Sequence, residues 1–233
     1  MRVRVAAAAA ALLLAGCAAL PSGTSSPVVA TAPDYRAGDR WVYRVDQKFY
    51  AAPDYDETHE VVAVDADGVR VRVSAKGGPI DVERVEQWRA PGVVTQGTMM
   101  DVETRRFGEP LERFRFPLIP GTHWSQRVAQ VNDTLGTSGM VSRYVQVNGT
   151  ERVTTPAGTF DAVRLTVFMR LDDETAFRQA TECTHIVWYA PAVRGVVRES
   201  RRATWREKGS ALDQMEVLSQ NEVVELVAFT PGR

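Results

Sequence analysis

The stretch from Val153 to Arg198 constrains the fold more than any other part of the chain. After a turn at Pro156–Gly158, every second residue from Val163 onward is apolar. Successive side chains of a strand point to opposite faces, so this alternation predicts a strand with one apolar face. That face consists of Val163, Leu165, Val167, Met169 and Leu171. A second run, Thr184 to Tyr189, predicts an antiparallel partner strand.

Short alternating runs recur along the rest of the chain, separated by turn sequences. The dipeptide Asn148–Gly149 predicts a two-residue hairpin turn in which Gly149 has a positive φ. Residues 214–219 fit a helix or a strand, and the surrounding strands favour a strand. About ten short strands predict a mainly β fold, built as a strongly curved antiparallel sheet or an open β-barrel. A β-sandwich is the alternative.

The N-terminus has the features of an export signal. Arg2 and Arg4 precede an apolar run, Val5 to Ala15, which is too short to span a bilayer, since a spanning helix needs about 20 residues. Leu14-Ala15-Gly16-Cys17 resembles a bacterial lipobox, in which Cys17 is acylated and becomes the first mature residue. An ordinary secretory signal with an incidental cysteine is the alternative.

These features divide the chain into three parts. We predict a signal peptide over residues 1–16, a lipid-anchored flexible linker over 17–33 that is rich in Ala, Pro and Ser, and one β-rich domain over 34–233. Ala18 follows Cys17 where inner-membrane retention usually has Asp, so the lipobox resemblance implies the outer membrane, facing the periplasm. The formal charge of −1 gives no indication of nucleic-acid binding.

Searches for catalytic and metal motifs give little. His59-Glu60 begins a zinc-protease motif, but Ala63 stands where the second histidine would be. His59, His123 and His185 are far apart in the sequence, and none has an evident base or nucleophile beside it. The acidic residues around Asp54 to Glu60 fit a solvated loop better than a cation site. We therefore expect no catalytic residue, metal or cofactor, and we expect Cys183 to be buried by packing.

Aromatic residues are the more suggestive feature. Most must fill the core of a curved sheet, but a subset fits the apolar concave sites that bind small molecules. The candidates facing an apolar ligand are Trp41, Tyr43, Leu165, Val167, Met169 and Trp188. Phe168 lies on the opposite face of its strand from Val167 and Met169, which suggests either a covered sheet or an exposed contact.

Four segments carry a family resemblance: Gly38 to Tyr43, Phe116 to Trp124, Pro156 to Val163 and Trp188 to Pro191. They resemble an uncharacterised family of bacterial exported and lipoprotein domains of unknown function. More distantly, a lipid-anchored curved sheet is similar to the half-barrels of lipoprotein carriers and lipoprotein-insertion proteins.

Together these observations lead to an expected function. We expect a non-enzymatic envelope lipoprotein, held at a membrane through its lipid anchor, that binds an apolar ligand, a lipid or an acylated chain on a concave sheet. The alternative is a structural or assembly component of the envelope that acts through protein–protein contacts. An enzyme ranks third, because the sequence does not place a nucleophile, a base and an orienting group together.

Overall fold

A computed structural model describes residues 28–48, 53–100, 103–173, 178–208 and 215–233. These residues form a closed antiparallel barrel of twelve strands. In chain order the strands are β1 (Arg40–Gln47), β2 (Tyr55–Asp65), β3 (Gly68–Gly77), β4 (Ile80–Ala90), β5 (Val93–Gly97), β6 (Arg105–Glu112), β7 (His123–Asn132), β8 (Thr137–Thr155), β9 (Gly158–Asp173), β10 (Thr181–Ala190), β11 (Gly195–Lys208) and β12 (Met215–Thr230). A 3₁₀ helix, Pro191–Val193, connects β10 to β11.

The predicted mainly β fold is confirmed, and the barrel is closed. Each strand pairs with the next along the chain, and β12 pairs with β1 from Arg40↔Thr230 to Gln47↔Glu222. This last ladder joins the two ends of the sheet, whereas a β-sandwich would have two separate sheets. The uncertain segment near residue 215 is part of β12, as the strand interpretation predicted.

Strand β9 shows why the alternating pattern is informative. Its predicted apolar face, from Val163 to Leu171, is at most 5% exposed, whereas Phe168 on the other face is 50% exposed. Strand β10 runs antiparallel beside it, with Val167 opposite His185. The predicted strand pair is therefore confirmed, and Phe168 belongs to the outer surface of the barrel.

The predicted hairpin at Asn148–Gly149 is wrong. Strand β8 continues through both residues, and the ladder with β9 shifts by one residue between Val147 and Gly149. Gly149 lies outside the group of glycines with positive φ, and a Cβ there would meet nothing within 4 Å. The turn lies instead at Pro156–Ala157, where Gly158 has a φ of +134°. Long-range pairing of β8 with β7 and β9 outweighs the local turn preference.

The interior is packed as two apolar clusters. The first is built mainly from β5 to β10 and includes Leu165 and Tyr189. The second is built mainly from β1 to β3, β11 and β12 and includes Trp41 and Tyr43. Trp88 of β4 contacts both clusters.

The segment before β1 packs against the barrel. Ala30, within the predicted linker, is fully buried and forms an isolated β-bridge with Leu118. Asp39 is also fully buried; it accepts hydrogen bonds from the backbone N–H groups of Arg36 (2.9 Å) and Gly232 (2.7 Å) and forms an ion pair with Arg194. One carboxylate thus joins both ends of the described chain to the β10–β11 connection.

Cys17 and the predicted signal peptide lie outside the described residues. Among the residues that the structure describes, no helix is both long and apolar enough to span a membrane.

Candidate functional site

A cavity of about 130 Å³ lies inside the barrel where the two apolar clusters meet. Its volume corresponds to about four water molecules at ~30 Å³ each. Trp41 and Tyr43 of β1 line it from the second cluster, and Val167 and Met169 of β9 line it from the first. The closed barrel therefore brings together four of the six residues that the sequence singled out as facing an apolar ligand.

The other two lie elsewhere. Leu165 is fully buried within the first cluster. Trp188 is on the outer surface, where its Nε1 donates a hydrogen bond to Glu151 (2.8 Å) and the Arg198 guanidinium lies 5.7 Å from its ring centroid. Its neighbours Val187 and Tyr189, which point inward, line the cavity instead.

The β-ladder also brings charged side chains into the cavity wall. His185 of β10 is opposite Arg201 of β11, and Arg201 is opposite Glu222 of β12. Glu199, two residues before Arg201, shares its face; its carboxylate lies 2.9 Å from His185 Nδ1 and 3.0 Å from Arg201 Nε. Arg201 Nη1 also lies 3.7 Å from the Glu222 carboxylate. Three neighbouring strands therefore form one connected group of charges.

A second charged group comes from β2 and β4. The Glu57 carboxylate lies 2.6 Å from His59 Nε2 and accepts a hydrogen bond from Arg84 Nη2 (3.0 Å). The solvated acidic loop expected here is wrong: from Tyr55 these residues form β2, and Glu57 is only 3% exposed. Alternation along β2 turns Glu57 inward, where Arg84 and His59 compensate its charge.

Glu86 anchors a third group. It is 1% exposed and accepts hydrogen bonds from Arg113 Nη1 (3.0 Å), Trp88 Nε1 (2.9 Å) and the Thr98 backbone N–H (3.1 Å). These partners all line the cavity and come from β4, the end of β5 and the segment after β6.

The buried carboxylates are held in their charged form. Burial by itself raises the pKa values of Glu57, Glu86 and Glu199, but neighbouring Arg and His side chains outweigh it. The pKa of Glu86 falls to about 2, that of Glu199 falls to about 2, and that of Glu57 falls well below its usual range. At neutral pH these groups accept hydrogen bonds and do not supply protons.

Arg143 differs from the other buried arginines. It is 8% exposed, and its Nη1 donates to the backbone carbonyls of Glu112 (2.8 Å) and Arg113 (3.0 Å). Within the described part of the chain, it forms no ion pair with a carboxylate. Burial, reinforced by repulsion from Arg113 and only partly offset by attraction to Glu199, lowers its pKa to about 9. The cavity wall therefore contains a cation without a directly paired anion.

Two of the three histidines meet at this site, although the sequence separates them widely. His59 and His185 both line the cavity, each beside a glutamate, while His123 lies near Tyr144 with 5.8 Å between ring centroids. No cluster of three or more His, Cys, Asp or Glu side chains in the described ranges is arranged to hold a metal ion. Cys183 is 3% exposed, and its Sγ lies 3.3 Å from Met100 Sδ, which agrees with the packing role predicted for it.

Sequence reasoning missed most of the charged wall. Glu199, Arg201 and Ala203 alternate with Ser200 and Arg202, so a strand is evident, but the pattern does not say that the face with Glu199 and Arg201 is inside. Their position in the chain was the one usable indication. These residues directly follow β10, and a strand paired with β10 in a hairpin has one face on the same interior.

Comparison with known proteins shows likeness in structure. A putative lipoprotein from Parabacteroides distasonis ATCC 8503 is 14% identical with a TM-score of 0.50, covering 86% of this chain and 99% of that chain. A putative exported protein with a YmcC-like fold from Bacteroides fragilis NCTC 9343 gives the same identity, TM-score and coverage. The hypothetical lipoprotein YmcC from Escherichia coli is 7% identical with a TM-score of 0.41, over 83% of this chain and 85% of that one.

No family model and no curated protein matches the chain. The two structures with a TM-score of 0.50 show a shared fold; one is a putative lipoprotein and the other a putative exported protein.

Proposed function

We propose that this chain is a non-enzymatic lipoprotein of the cell envelope that binds a small, partly apolar ligand inside its barrel. The observation that carries the proposal is the cavity at the junction of the two clusters, where Trp41, Tyr43, Val167 and Met169 provide an apolar wall. Small-molecule sites are concave, mostly apolar and provided with a few polar groups. The volume of about 130 Å³ matches a small molecule, which is why we propose a ligand smaller than the lipid expected from the sequence.

A binding role fits the charged groups better than catalysis does. A general acid or base works best with a pKa near the operating pH, whereas the pKa values of Glu86 and Glu199 are about 2. Their arginine and histidine partners hold them as fixed hydrogen-bond acceptors. Such groups orient a ligand without transferring protons.

Placement in the envelope, by a lipid on Cys17, is the second part of the proposal. It is supported by the lipobox Leu14–Cys17 and by the exported or lipoprotein descriptions of the two proteins that share the fold. Ala18 after the cysteine favours the outer membrane, with the barrel facing the periplasm.

Cys17→Ser tests the anchor. The variant should move from the membrane fraction to the soluble fraction and lose the mass of its acyl chains. Cys183→Ser is the matched control, because Cys183 lies inside the barrel, and it should stay with the membrane. A wild-type chain that carries no lipid would overturn this part of the proposal.

Ligand binding can be tested with benzamide, which is neutral and about as large as the cavity permits. In the full-length Cys17→Ser chain, benzamide should raise the Tm in a saturable way, because a ligand that binds only the folded state stabilises it. Val167→Phe should fill the cavity and abolish this shift. Phe168→Leu, on the outer face of the same strand, should leave it unchanged. Equal Tm shifts in both variants would place binding outside the barrel and contradict the proposal.

One observation favours the assembly role as a second candidate. Tyr144 and Phe168 are 37% and 50% exposed and lie opposite each other on β8 and β9, with ring centroids 6.4 Å apart. Because the closed barrel leaves no free sheet edge among the described strands, a contact would use this face. Tyr144→Ser with Phe168→Ser should reduce the native size of the detergent-extracted protein while leaving its Tm nearly unchanged. An unchanged native size would argue against this role.

A further inference from the structure

The buried arginines at the cavity differ in whether a carboxylate pairs with them. Arg113 and Arg201 line the cavity and each contact a carboxylate at 3.0 Å, and Arg84, outside the lining, contacts the buried Glu57 at the same distance. Arg143 is as buried as Arg84, but among the described residues it donates hydrogen bonds only to two backbone carbonyls. A buried charge is costly unless it is paired, so this position favours an anion that the described residues do not supply.

A second buried group in the same wall lacks a partner. His185 is 4% exposed, and its Nδ1 is paired with Glu199. Its Nε2 is buried and has no hydrogen-bond partner among the residues that the structure describes. When Nδ1–H donates to the Glu199 carboxylate, Nε2 of a neutral ring is an acceptor, so a hydrogen-bond donor would satisfy it and a carboxylate would not.

The ladder fixes how these two groups are related. Arg143 is opposite Met169, and His185 is opposite Val167. Met169 and Val167 are inward-facing residues of β9, and both line the cavity. Arg143 and His185 therefore approach the cavity from the two strands on either side of β9. A ligand resting on the apolar face of β9 lies between them.

The cavity also limits the size of the ligand. An engineered protein cavity of about 150 Å³ holds one benzene molecule. The cavity here, at about 130 Å³, therefore takes one ring or a short branched chain with a single polar group. Aromatic side chains at Trp88, Phe114 and Tyr189 offer flat surfaces to such a group.

We infer that the ligand is a small organic monoanion of about the size of benzoate. Its carboxylate lies at Arg143, and its apolar part rests on Val167 and Met169. This inference rests on the proposed function and specifies the chemistry of its ligand. A carboxylate forms an ion pair with the Arg143 guanidinium and can accept two parallel hydrogen bonds from it, which a neutral amide cannot, so the anion should be preferred over a neutral ligand of equal shape.

The test compares benzoate with benzamide, which have nearly the same shape but differ in charge. With the full-length Cys17→Ser chain at pH 7 and about 0.15 M salt, calorimetry should show benzoate binding at least tenfold more tightly than benzamide. Arg143→Met should weaken benzoate binding at least tenfold and change benzamide binding less than threefold. Arg127→Met is the matched control, because Arg127 is exposed on β7, and it should change neither affinity.

Each outcome of the wild-type titration has a distinct meaning, even if Arg143→Met fails to fold. Equal affinities for benzoate and benzamide would overturn the anion inference while leaving the proposed binding function intact. Binding of neither compound would overturn both. Arg143→Lys keeps the charge and should retain part of the preference for benzoate, whereas complete retention in a folded Arg143→Met variant would remove Arg143 from the site.

Discussion

Strands β9 and β11 both line the barrel interior, but they do so with opposite chemistry. The inner face of β9 is apolar throughout, from Val163 to Leu171, and is at most 5% exposed. The inner face of β11 carries Glu199 and Arg201 before it becomes apolar at Ala203. The comparison shows that alternation identifies the two faces of a strand. Whether a face with charged residues can be buried depends on the ion-pair partners that the neighbouring strands provide.

The neighbours of β11 provide ion-pair partners. His185 and Glu222 lie opposite Arg201 on the two neighbouring strands. The Glu199 carboxylate lies between the side chains of His185 and Arg201. Strand β9 needs no such partners, because apolar surface is stabilised by burial against any apolar neighbour. The apolar face of β9 therefore tolerates changes in its neighbours, whereas the charged face of β11 depends on the register that places its ion-pair partners.

Removing apolar volume from β9 should have the largest effect. Leu165 is fully buried, so Leu165→Ala should lower the free energy of unfolding by about 3–5 kcal/mol in urea titrations. Phe168→Ala removes a larger side chain from the exposed face and should cost less than about 1 kcal/mol. Similar losses from the two variants would contradict the assignment of faces.

Breaking the charged wall should have the next largest effect. Arg201→Met leaves Glu199 and Glu222 without their shared cation and should cost about 3 kcal/mol, because an unpaired buried charge is strongly unfavourable. Arg202→Met, the adjacent exposed residue on the outer face, should cost less than about 0.5 kcal/mol. If both variants unfold at the wild-type urea concentration, the interior network does not contribute to stability.

Acid should weaken the charged wall selectively. Glu86 and Glu199 have pKa values of about 2 in the fold, whereas glutamates in an unfolded chain titrate near pH ~4.3. Their stabilising contribution is complete above that unfolded value and is lost as the pH falls toward 2. The urea midpoint should therefore fall steadily between pH 4.5 and pH 2.5. Arg201→Met, which lacks one cause of the lowered Glu199 pKa, should show a shallower fall, and a parallel one would count against the network.

The smallest effect is expected at Gly149, where the sequence predicted a hairpin turn that the structure does not have. Gly149→Val should change stability by less than about 1 kcal/mol, because the residue lies within β8 and its Cβ would meet nothing within 4 Å. Gly68→Val is the contrasting variant: φ is +125° and a Cβ would lie 2.1 Å from the Trp88 carbonyl oxygen. A cost at Gly149 comparable to that at Gly68 would restore the hairpin interpretation.

These cases show which features the sequence could predict. The face and pairing of β9 followed from local periodicity, and the turn at Pro156–Ala157 followed from residues that disfavour a strand. The error at Asn148–Gly149 arose because long-range pairing outweighed a local preference. Trp188 lies in an apolar run, where the sequence does not indicate which side chains point into the barrel. His59 and His185 line the same cavity only because the barrel closes, and no local sequence pattern predicts that closure.

We propose that the charged and apolar cavity inside the closed barrel receives a small organic anion. A crystal structure of the full-length Cys17→Ser chain grown with benzoate tests it most directly. We expect a flat ring density against Val167 and Met169, with a carboxylate oxygen about 2.7–2.9 Å from an Arg143 nitrogen. A cavity filled only by ordered water or by rearranged side chains, at a benzoate concentration that saturates the Tm shift, would contradict the claim.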